Sequence, residues 1–571
     1  MNTPVTRSAE GRRRRMRHAW PVTSVLAASA LLLASCGGDA EGEGDAAAEL
    51  DMETSGVGAM EDFAAGDTFV ATEPVEFSLL YRDHPNYPIQ DDWEFITKLE
   101  EEHGVTLETS NAPLSDWAER RALVIGAGDA PDFIPITYPG DETQFIAGGA
   151  LLPVSDYLDL MPNLTEKIES WELEEDFASL YQEDGKFYVL PGLLEDPQHQ
   201  YSFAVRGDIW DELGLEDPES FEEFADQLRQ VEEAYPDMVP YSDRWSENGP
   251  LEATLNVAAP NFGTSAGWGY GDGMHYDAEA DEFVYAGAMD EYRDLLAYFA
   301  GLVEEGLMDS ESLTQDDDQA IQKFASGSSA VIGANDQELL TYRTSIEEVG
   351  DEDMEVRLIR VPGGPAGDMV DASRLESGMA LSADVAEEED FVALMQFLDW
   401  LYYSDEGMEF SKWGVEGETY TKDEDGTRTL AENVDMNGLN PDGEEQLNVD
   451  YGYHNGVFML AHGSSTELVQ SMLRDEVIEF RDSMESKERL TPDPARPLDE
   501  LERERASISQ TQLTDQVRTA TAQFILGQRD IEEWDSFVAE LESSGMAEFV
   551  ELHNEAYQRA QENLDGEVVE D

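Results

Sequence analysis

Few residues of this chain have types and spacings suited to catalysis. Its 571 residues include 127 aspartates plus glutamates, 34 lysines plus arginines and 8 histidines. A glycosidase needs two carboxylates that flank the scissile bond, but in so acidic a chain such pairs are expected by chance. The histidines form neither an HExxH pair nor another metal-binding spacing, and there is no Walker A loop. The sequence therefore predicts no catalytic residue, no metal ligand and no cofactor.

The single cysteine, Cys36, lies where a lipid would be attached to an exported protein. Five arginines fall within residues 12–17, an apolar stretch runs from Ala19 to Leu33, and Ala34-Ser35-Cys36 follows. A basic region, a short apolar region and small residues at a cleavage point are typical of a secretory signal. The Leu-Ala-Ser-Cys order resembles a bacterial lipobox, which implies cleavage before Cys36 and diacylglycerol attachment to its sulfur. The alternative is an ordinary signal peptide with an incidental cysteine.

The charge balance and the cysteine count exclude several classes of protein. With a formal net charge of −93, the chain lacks the basic surface that a nucleic-acid binder needs. One cysteine cannot form a disulfide within the chain. The one apolar run is too short for a comfortable membrane span. Because 41% of the residues are hydrophobic and 9% are aromatic, we expect a large acidic globular protein of two or more lobes.

The first 67 residues are expected to lie outside the folded body. Residues 1–35 are predicted to be a lipoprotein signal peptide, and residues 36–67 a lipid-anchored acidic tether. The tether segment is rich in Gly, Ala, Asp and Glu and has few large apolar residues. That composition is typical of a flexible, charge-extended chain, which would hold the body away from a membrane.

From residue 68 onward, short apolar strands alternate with helical patterns. Strands are predicted at Phe77–Tyr81, Val105–Thr109 and Asp132–Ile136, separated by helices over 92–103 and 117–126. This alternation indicates βαβ units and a mainly parallel sheet. Ligands of such sheets lie beyond the carboxyl ends of the strands, so Arg82 and Asp83, directly after the first strand, are candidate ligand contacts. The later predicted elements are a strand at 203–206, a turn and a strand within 324–333, and loops with a hairpin within 261–287. Helices are predicted at 208–213, 220–234, 290–305 and 388–403, and over most of 511–560 with a break near Gly545.

Several ordered sets of residues resemble the motifs of one family. The sets are Ala130–Ile134, Gly185–Pro191, Arg206–Leu215 with Phe221–Phe224, Leu302–Met308, Leu401–Gly407 with Trp413–Gly417, and Phe524–Gly527 with Trp534–Val538. In this order they resemble the extracellular solute-binding proteins (family 1) of bacterial ABC importers, in the large carbohydrate-type lipoprotein branch. The resemblance covers about residues 70 to 560, and its specificity comes from the ordered set.

The resemblance implies an α/β fold of the periplasmic-binding-protein type (type II), a two-lobed clamshell with hinge-crossing strands and a helical C-terminal region. It implies a first lobe of 68–198 and 336–383 and a second lobe of 199–335 and 384–571. The chain is expected to cross between the lobes near 195–202, 333–338 and 383. Ligand would lie between the lobes, which would close about the hinge.

One segment departs from a pattern that some relatives carry. In those relatives an Asp/Asn-rich calcium loop follows the helix equivalent to Phe221–Glu233. Calcium coordination needs such an alternating, oxygen-rich loop. Here residues 235–240 read Tyr-Pro-Asp-Met-Val-Pro, with one carboxylate and no alternation. We therefore predict no calcium at that position.

A sugar ligand would stack its ring faces on aromatic side chains and present its hydroxyls to polar ones. Aromatic residues in polar or glycine-rich loops are the candidates for stacking, since those in helical patterns are expected in the core. For each loop aromatic, packing within the loop is the alternative interpretation. The predicted ligand-binding residues are Trp245, Trp268, Tyr270, Trp413 and Tyr420, with Arg82 and Asp83, Glu195 near the first crossing, and Asn335 near the second.

The resemblance implies a substrate-binding lipoprotein that is not an enzyme. The protein would capture a small-molecule solute, by its family branch an oligosaccharide, and deliver it to the membrane subunits of an ABC permease. It is expected to be a monomer, lipid-anchored at the extracellular face of the bacterial cell membrane, and to bind no nucleic acid. The alternatives are a surface-anchored polysaccharide-binding adhesin and a secreted glycoside hydrolase. No motif names the sugar, and peptides or other polar solutes stay open as ligands.

Overall fold

The computed structural model describes residues 52–567, apart from 86, 137–139, 247–248, 351–353, 372 and 456–462. The strands are β1 (Val75–Asp83), β2 (Val105–Pro113), β3 (Phe133–Ile136), β4 (Leu190–Leu193), β5 (Ser202–Arg206), β6 (Val239–Tyr241), β7 (Met274–Asp277), β8 (Glu282–Tyr285), β9 (Ser329–Ala334), β10 (Val356–Ile359), β11 (Met369–Val370), β12 (Leu375–Leu381), β13 (Tyr420–Lys422), β14 (Arg428–Leu430), β15 (Val434–Asp435), β16 (Glu445–Gln446) and β17 (Glu488–Arg489). The helices are α1 (Met52–Ser55), α2 (Glu94–His103), α3 (Trp117–Ala127), α4 (Thr143–Ile146), α5 (Pro162–Ser170), α6 (Glu174–Ala178), α7 (Gly207–Leu213), α8 (Phe221–Ala234), α9 (Glu252–Phe262), α10 (Asp290–Glu305), α11 (Asp317–Ala325), α12 (Asp336–Val349), α13 (Phe391–Tyr403), α14 (Asp405–Trp413), α15 (Thr466–Ser471), α16 (Asp475–Met484), α17 (Glu500–Ile525), α18 (Trp534–Ser543) and α19 (Met546–Glu567). The predicted signal peptide and Cys36 lie outside the described residues. Within the described part of the chain, no helix combines the length and apolar character that a membrane crossing requires.

The first sheet has five strands in the order β2-β1-β3-β12-β4. β1 is parallel to β2 and β3, whereas β12 runs antiparallel between β3 and β4. The first three strands lie where the sequence predicts them, because local signals bound them. For example, α2 ends at Gly104, whose left-handed conformation (φ 70°) stops the helix before β2. Asp83 pairs with Pro113 at the ends of β1 and β2, so both carboxyl ends lie at one edge of the sheet.

The second sheet has four strands in the order β10-β5-β9-β6. β9 is parallel to β6 and antiparallel to β5, and β10 is antiparallel to β5. Every residue of β9 is buried, as expected of a central strand covered on both faces. The carboxyl ends of β6 and β9 therefore lie at the same edge as the amino end of β5.

Each sheet has its own hydrophobic core, and these cores define two lobes. The first lobe surrounds β1, β3 and β12 and contains α2, α5, α13 and α14. The second lobe surrounds β5 and β9 and contains α8, α10, α12 and the C-terminal helices α17 to α19. The two lobes form the α/β arrangement that the sequence predicts.

The packing corrects two of the predicted lobe boundaries. Helix α13 lies within the segment predicted for the second lobe, but every one of its residues is buried and its apolar side chains join the first core. A helix that is apolar on all sides must be covered on all sides, and the first lobe covers it. Strand β10 lies within the segment predicted for the first lobe, but it pairs with β5 in the second sheet.

The crossings between the lobes move accordingly. The chain first passes between the sheets over 194–201, from β4 to β5. It returns between β10 and β12, after residue 359 rather than near 333–338. It passes back to the second lobe between α15, which packs in the first core, and α16, which packs in the second, rather than near 383.

The chain already packs on the first lobe before residue 68, so the predicted tether ends earlier than expected. Ala59 is buried in the first core. The Val57 N–H donates to the Glu389 carbonyl at 2.8 Å, and the Met60 N–H donates to Oε1 of Gln396 at 2.9 Å. Few apolar residues suffice here, because α13 supplies an apolar surface for them to cover. The folded body therefore includes residue 57 onward.

Candidate functional site

A groove lies between the two lobes. Its larger cavity, about 900 Å³, is lined by residues 140–143 and 179–182 of the first lobe and by Gly269–Asp272, Asp493–Leu498 and part of α17 of the second. A neighbouring cavity of about 520 Å³ shares Gly269 and Asp493 with it. Residues 140–143 come after the carboxyl end of β3, which is where sheets of this kind bind ligands. We call the two cavities together the interlobe groove.

Three aromatic rings from separate segments meet beside this groove. The ring centroids lie 5.4 Å apart for Trp245 and Trp268, 5.2 Å for Tyr201 and Trp268, and 5.8 Å for Tyr201 and Trp245. The rings are inclined to one another by 59° to 78°. Trp268 is 41% exposed, and its neighbour Gly269 lines both cavities. We call these residues the aromatic triad.

Two glycines place Trp268 at this surface. Trp268 lies in a short turn, Gly267–Tyr270, that packs on α9. A Cβ on Gly267 would lie 1.9 Å from the carbonyl oxygen of Glu252, and one on Gly269 would lie 2.5 Å from Oδ1 of Asn256. Because the backbone rests directly on the helix, the side chain between the two glycines points away from it and stays exposed.

A buried carboxylate and a glycine place Trp245. Asp243, two residues before Trp245, is fully buried. It accepts hydrogen bonds from the Gly333 N–H (2.8 Å) and the Tyr241 hydroxyl (2.9 Å). Burial raises the pKa of Asp243, and these donors offset part of the shift. A Cβ on Gly333 would lie 2.7 Å from Oδ1 of Asp243 and 3.2 Å from the Trp245 ring. The end of β9 therefore fits against Trp245 only because residue 333 has no side chain.

An arginine packs against the ring of Trp245. The guanidinium of Arg244 lies 4.5 Å from the Trp245 ring centroid and pairs with Asp317 at 2.6 Å. Asp317 also accepts from the Trp245 N–H at 2.9 Å, which holds this residue at a positive φ of 59°. The indole is thus fixed from the backbone and from one face before any ligand binds.

Three predicted aromatic contacts are buried in the cores instead. Trp413 is 1% exposed and Tyr420 is 5% exposed; they pack together in the first core, with ring centroids 5.6 Å apart. The Trp413 indole N–H donates to Oγ of Ser471 at 3.1 Å. Tyr270 is buried in the second core, with only its edge at the groove. The burial of Trp413 and Tyr420 agrees with the alternative interpretation of these residues, packing within the loop.

The predicted polar residues lie at strand ends but are not brought together with the triad. Arg82 and Asp83 end β1, where Oδ1 of Asp83 accepts from the Ile89 N–H at 3.2 Å. Oδ1 of Asn335 caps α12 by accepting from the Glu338 N–H at 2.9 Å. Oε2 of Glu195 accepts from the N–H of Thr466, the first residue of α15, at 2.9 Å. Each of the last two side chains thus holds the start of a helix, Asn335 within the second lobe and Glu195 from the first crossing.

Sequence reasoning missed several residues of the groove. Tyr201 completes the triad from the first crossing, and its position just before a buried strand was the available signal. Asp371 lines the groove from the crossing between β10 and β12, and Asp493 from the segment between β17 and α17. Nothing local distinguishes them among so many acids. Arg496 is placed beside them by two hydrogen bonds to Asp272, at 2.6 and 3.2 Å.

The described residues contain no group of three or more His, Cys, Asp or Glu side chains arranged to hold a metal ion. The chain contains one GxSxG pattern, Gly263–Gly267. Esterases place a nucleophilic serine in such a pattern, at a turn between a strand and a helix. Here the pattern follows helix α9 and leads into the turn that carries Trp268. Oγ of Ser265 lies 2.9 Å from Nδ1 of His275, but within the described chain no carboxylate hydrogen-bonds the other ring nitrogen to orient it. The turn is therefore not a nucleophile elbow.

Comparisons with known proteins agree with this architecture. The family model of the bacterial extracellular solute-binding proteins matches residues 87–408. The fructooligosaccharide ABC transporter substrate-binding protein FusA of Streptococcus pneumoniae is 22% identical over 94% of this chain and 98% of its own length. Lipoprotein LipO of Bacillus subtilis is 22% identical over 57% of this chain and 63% of its own length. The solved structure of an HMO-binding, ABC-transporter-associated solute-binding protein from Bifidobacterium longum infantis matches with a TM-score of 0.65 at 19% identity, covering 86% of this chain and 99% of that one. This likeness confirms the predicted fold.

Proposed function

The chain belongs to the family of bacterial extracellular solute-binding proteins, and from that premise we propose that it captures an oligosaccharide in the interlobe groove for an ABC importer. Proteins of this family bind solutes rather than transform them, so the proposed role includes no chemical change of the ligand. The named ligands of similar proteins, fructooligosaccharides and HMO, support a sugar.

The observation that carries this proposal is the aromatic triad beside the groove. Its three rings, with centroids 5.2 to 5.8 Å apart, offer faces and edges suited to the apolar faces of sugar rings. The groove is large enough for several sugar units, since its two cavities measure about 900 and 520 Å³. A monosaccharide would leave most of that space empty.

Closure of the lobes would couple binding to delivery. A ligand held by the aromatic triad would contact residues 140–143 and 179–182 of the first lobe only when the lobes are close together. Binding therefore favours the closed form by the free energy of those extra contacts. The closed form is the one expected to dock on the membrane subunits of the permease.

The proposed location is the outer face of the cell membrane, with a lipid on Cys36. The Leu33-Ala34-Ser35-Cys36 motif supports this attachment, and a similar protein is a lipoprotein. Since the body already includes Val57, about 20 residues would separate the lipid from the first lobe. Metabolic labelling with a radioactive fatty acid tests this part, and Cys36→Ala should abolish the label.

Thermal unfolding of the full-length chain in mild detergent, across a panel of neutral oligosaccharides, tests the function. A ligand that binds only the folded state raises the midpoint, by an amount that grows with its concentration. Mass spectrometry of the recovered sugar should show no change, and a fluorophosphonate should not label Ser265. A changed sugar would indicate a glycoside hydrolase instead. Binding to an insoluble polysaccharide without any effect of soluble oligosaccharides would indicate an adhesin.

A further inference from the structure

We infer that the ligand of the interlobe groove is an uncharged oligosaccharide, and that Asp371 and Asp493 make the groove reject sugar acids. This inference rests on the proposed function and assigns the charge of its ligand. It follows from how the charged side chains of the groove are paired.

Carboxylates outnumber cations along the groove. The acidic side chains that line its two cavities are Asp141, Glu142, Asp176, Asp272, Asp371, Glu488 and Asp493. Arginine is the only permanently cationic residue type among the described lining residues, and it occurs at three positions, 489, 496 and 503. In a concave site with low-dielectric walls, such an excess of one sign produces a strong local potential.

Protein groups already engage each of the three arginines. Arg496 donates two hydrogen bonds to Asp272. Arg489 is paired with Asp176, whose side chain is 7% exposed. Arg503 donates to the carbonyl oxygen of Leu498 at 2.7 Å. A carboxylate on a ligand would have to displace one of these partners, and leaving a buried acid such as Asp176 unpaired is costly.

The two histidines of the groove do not supply a cation at neutral pH. Burial lowers the pKa of His553 to about 4, although the nearby Asp272 acts in the opposite direction. Burial also lowers the pKa of His275. Both rings are therefore neutral near pH 7, so neither offsets the negative charge of the groove.

Asp371 and Asp493, together with Glu488, are the acids of the groove that stay available to a ligand. Both aspartates are exposed to the groove, and neither accepts a hydrogen bond from another described residue. Asp493 lines both cavities, and the low-dielectric surroundings raise its pKa to about 6 while Arg496 lowers it and Asp371 raises it further. An ionised carboxylate can only accept hydrogen bonds. It therefore suits the hydroxyl donors of a neutral sugar and repels a uronate.

The test uses pairs of oligosaccharides that have the same linkage and differ only at C6, with a hydroxymethyl group in one and a carboxylate in the other. Titration calorimetry on the full-length chain should show at least tenfold tighter binding of the neutral member of the pair that binds. The difference should shrink as salt increases, because salt screens the repulsion. In the double variant Asp371→Asn with Asp493→Asn, the penalty for the uronate should fall several-fold.

A matched variant separates this effect from the overall charge of the protein. Asp237 is exposed and precedes β6, so it lies at the amino end of that strand, away from the groove. Asp237→Asn should leave the ratio of the two affinities unchanged. Equal or tighter binding of a uronate would overturn this inference while leaving the proposed function intact. Binding of neither member of any pair would overturn both.

Discussion

Trp268 and Trp413 have similar sequence surroundings and opposite environments. Trp268 lies between Gly267 and Gly269, and Trp413 precedes Gly414. The sequence therefore predicts that both are loop aromatics that a ligand could reach. In the structure Trp268 is 41% exposed beside the groove, whereas Trp413 is 1% exposed in the first core.

The difference lies in what the neighbouring glycine touches. At Gly414 a Cβ would lie 2.4 Å from Oγ1 of Thr419 and 2.8 Å from the Tyr453 ring, so side chains close over Trp413. At Gly267 a Cβ would meet the backbone of α9, so the backbone is covered and the indole of Trp268 is not. A glycine beside a tryptophan thus indicates that the backbone is closely packed there. It does not indicate whether the tryptophan ring is exposed or buried.

The largest expected effect that tests this contrast is the loss of stability in Trp413→Ala. Removing a fully buried aromatic side chain leaves a cavity and should lower the free energy of unfolding by about 3 to 5 kcal/mol. Urea denaturation measures this change. The protein that stays folded should bind ligand with unchanged affinity, and a weakened affinity would show that Trp413 contacts the ligand after all.

The first core should also carry a measurable pH dependence through Asp399. This side chain is fully buried and accepts hydrogen bonds from the Asn163 and Leu164 N–H groups, but burial still raises its pKa to about 6. Between about pH 4 and pH 6 the folded chain then keeps a proton that the unfolded chain has lost. Its contribution to stability is present at low pH and is lost as the pH rises through this window, by about 1.4 kcal/mol per unit.

Comparison of the wild type with Asp399→Asn isolates this contribution, since the other acids of the chain titrate in both proteins. The difference in unfolding free energy between them should change with pH across that window. A constant difference from pH 4 to pH 7 would mean that the hydrogen bonds keep the pKa of Asp399 at its ordinary value.

The opposite result is expected for Trp268→Ala, which should weaken ligand binding and barely change stability. Loss of one stacked aromatic face removes about 1.5 to 3 kcal/mol of apolar burial, which corresponds to a 10- to 100-fold weaker affinity. Because the side chain is 41% exposed, the unfolding free energy should change by less than about 1 kcal/mol. Calorimetry and urea denaturation measure the two effects. The control is Trp171→Ala, a half-buried tryptophan that packs against the first core and is not part of the aromatic triad.

A smaller effect on ligand affinity is expected from Gly333→Ala, which would displace the Trp245 ring of the triad. The added methyl group would lie 3.2 Å from the Trp245 ring and 2.7 Å from Asp243, so the indole must shift. We expect a 3- to 10-fold loss of affinity, up to about 1.4 kcal/mol, by calorimetry. Gly301→Ala is the matched control, because beyond its chain neighbours and its own helix backbone no heavy atom of the described chain lies within 4 Å of the added group. Equal affinities of the two variants would show that the position of the Trp245 ring does not affect ligand binding.

Elements with local signals could be predicted from the sequence. Gly104 ends α2, and Ser220 caps α8 by accepting from the Glu223 N–H, so both helices lie where they are expected. Strand β10 was missed, because its partner β5 is about 150 residues away and its four residues have no turn signal of their own. The packed segment 57–67 was missed for the same reason, since its apolar partners lie on α13.

The candidate site divides in the same way. Trp245 and Trp268 could be proposed from the sequence because both lie in polar or glycine-rich loops, and the structure brings their rings together. Tyr201 joins them only through the fold, which brings the first crossing to the ends of β6 and β9. The burial of Trp413 could not be predicted, because it depends on contacts such as that with Ser471, which no local pattern indicates.

The most direct test of the account is fluorine NMR of the full-length chain with 5-fluorotryptophan at its ten tryptophans. The signals of Trp245, Trp268 and Trp413 are assigned by replacing each residue in turn with phenylalanine. On addition of a saturating oligosaccharide, the signals of Trp245 and Trp268 should move and that of Trp413 should not. Movement of the Trp413 signal alone, or binding of the oligosaccharide without any shift at Trp245 and Trp268, would contradict a sugar site at the aromatic triad.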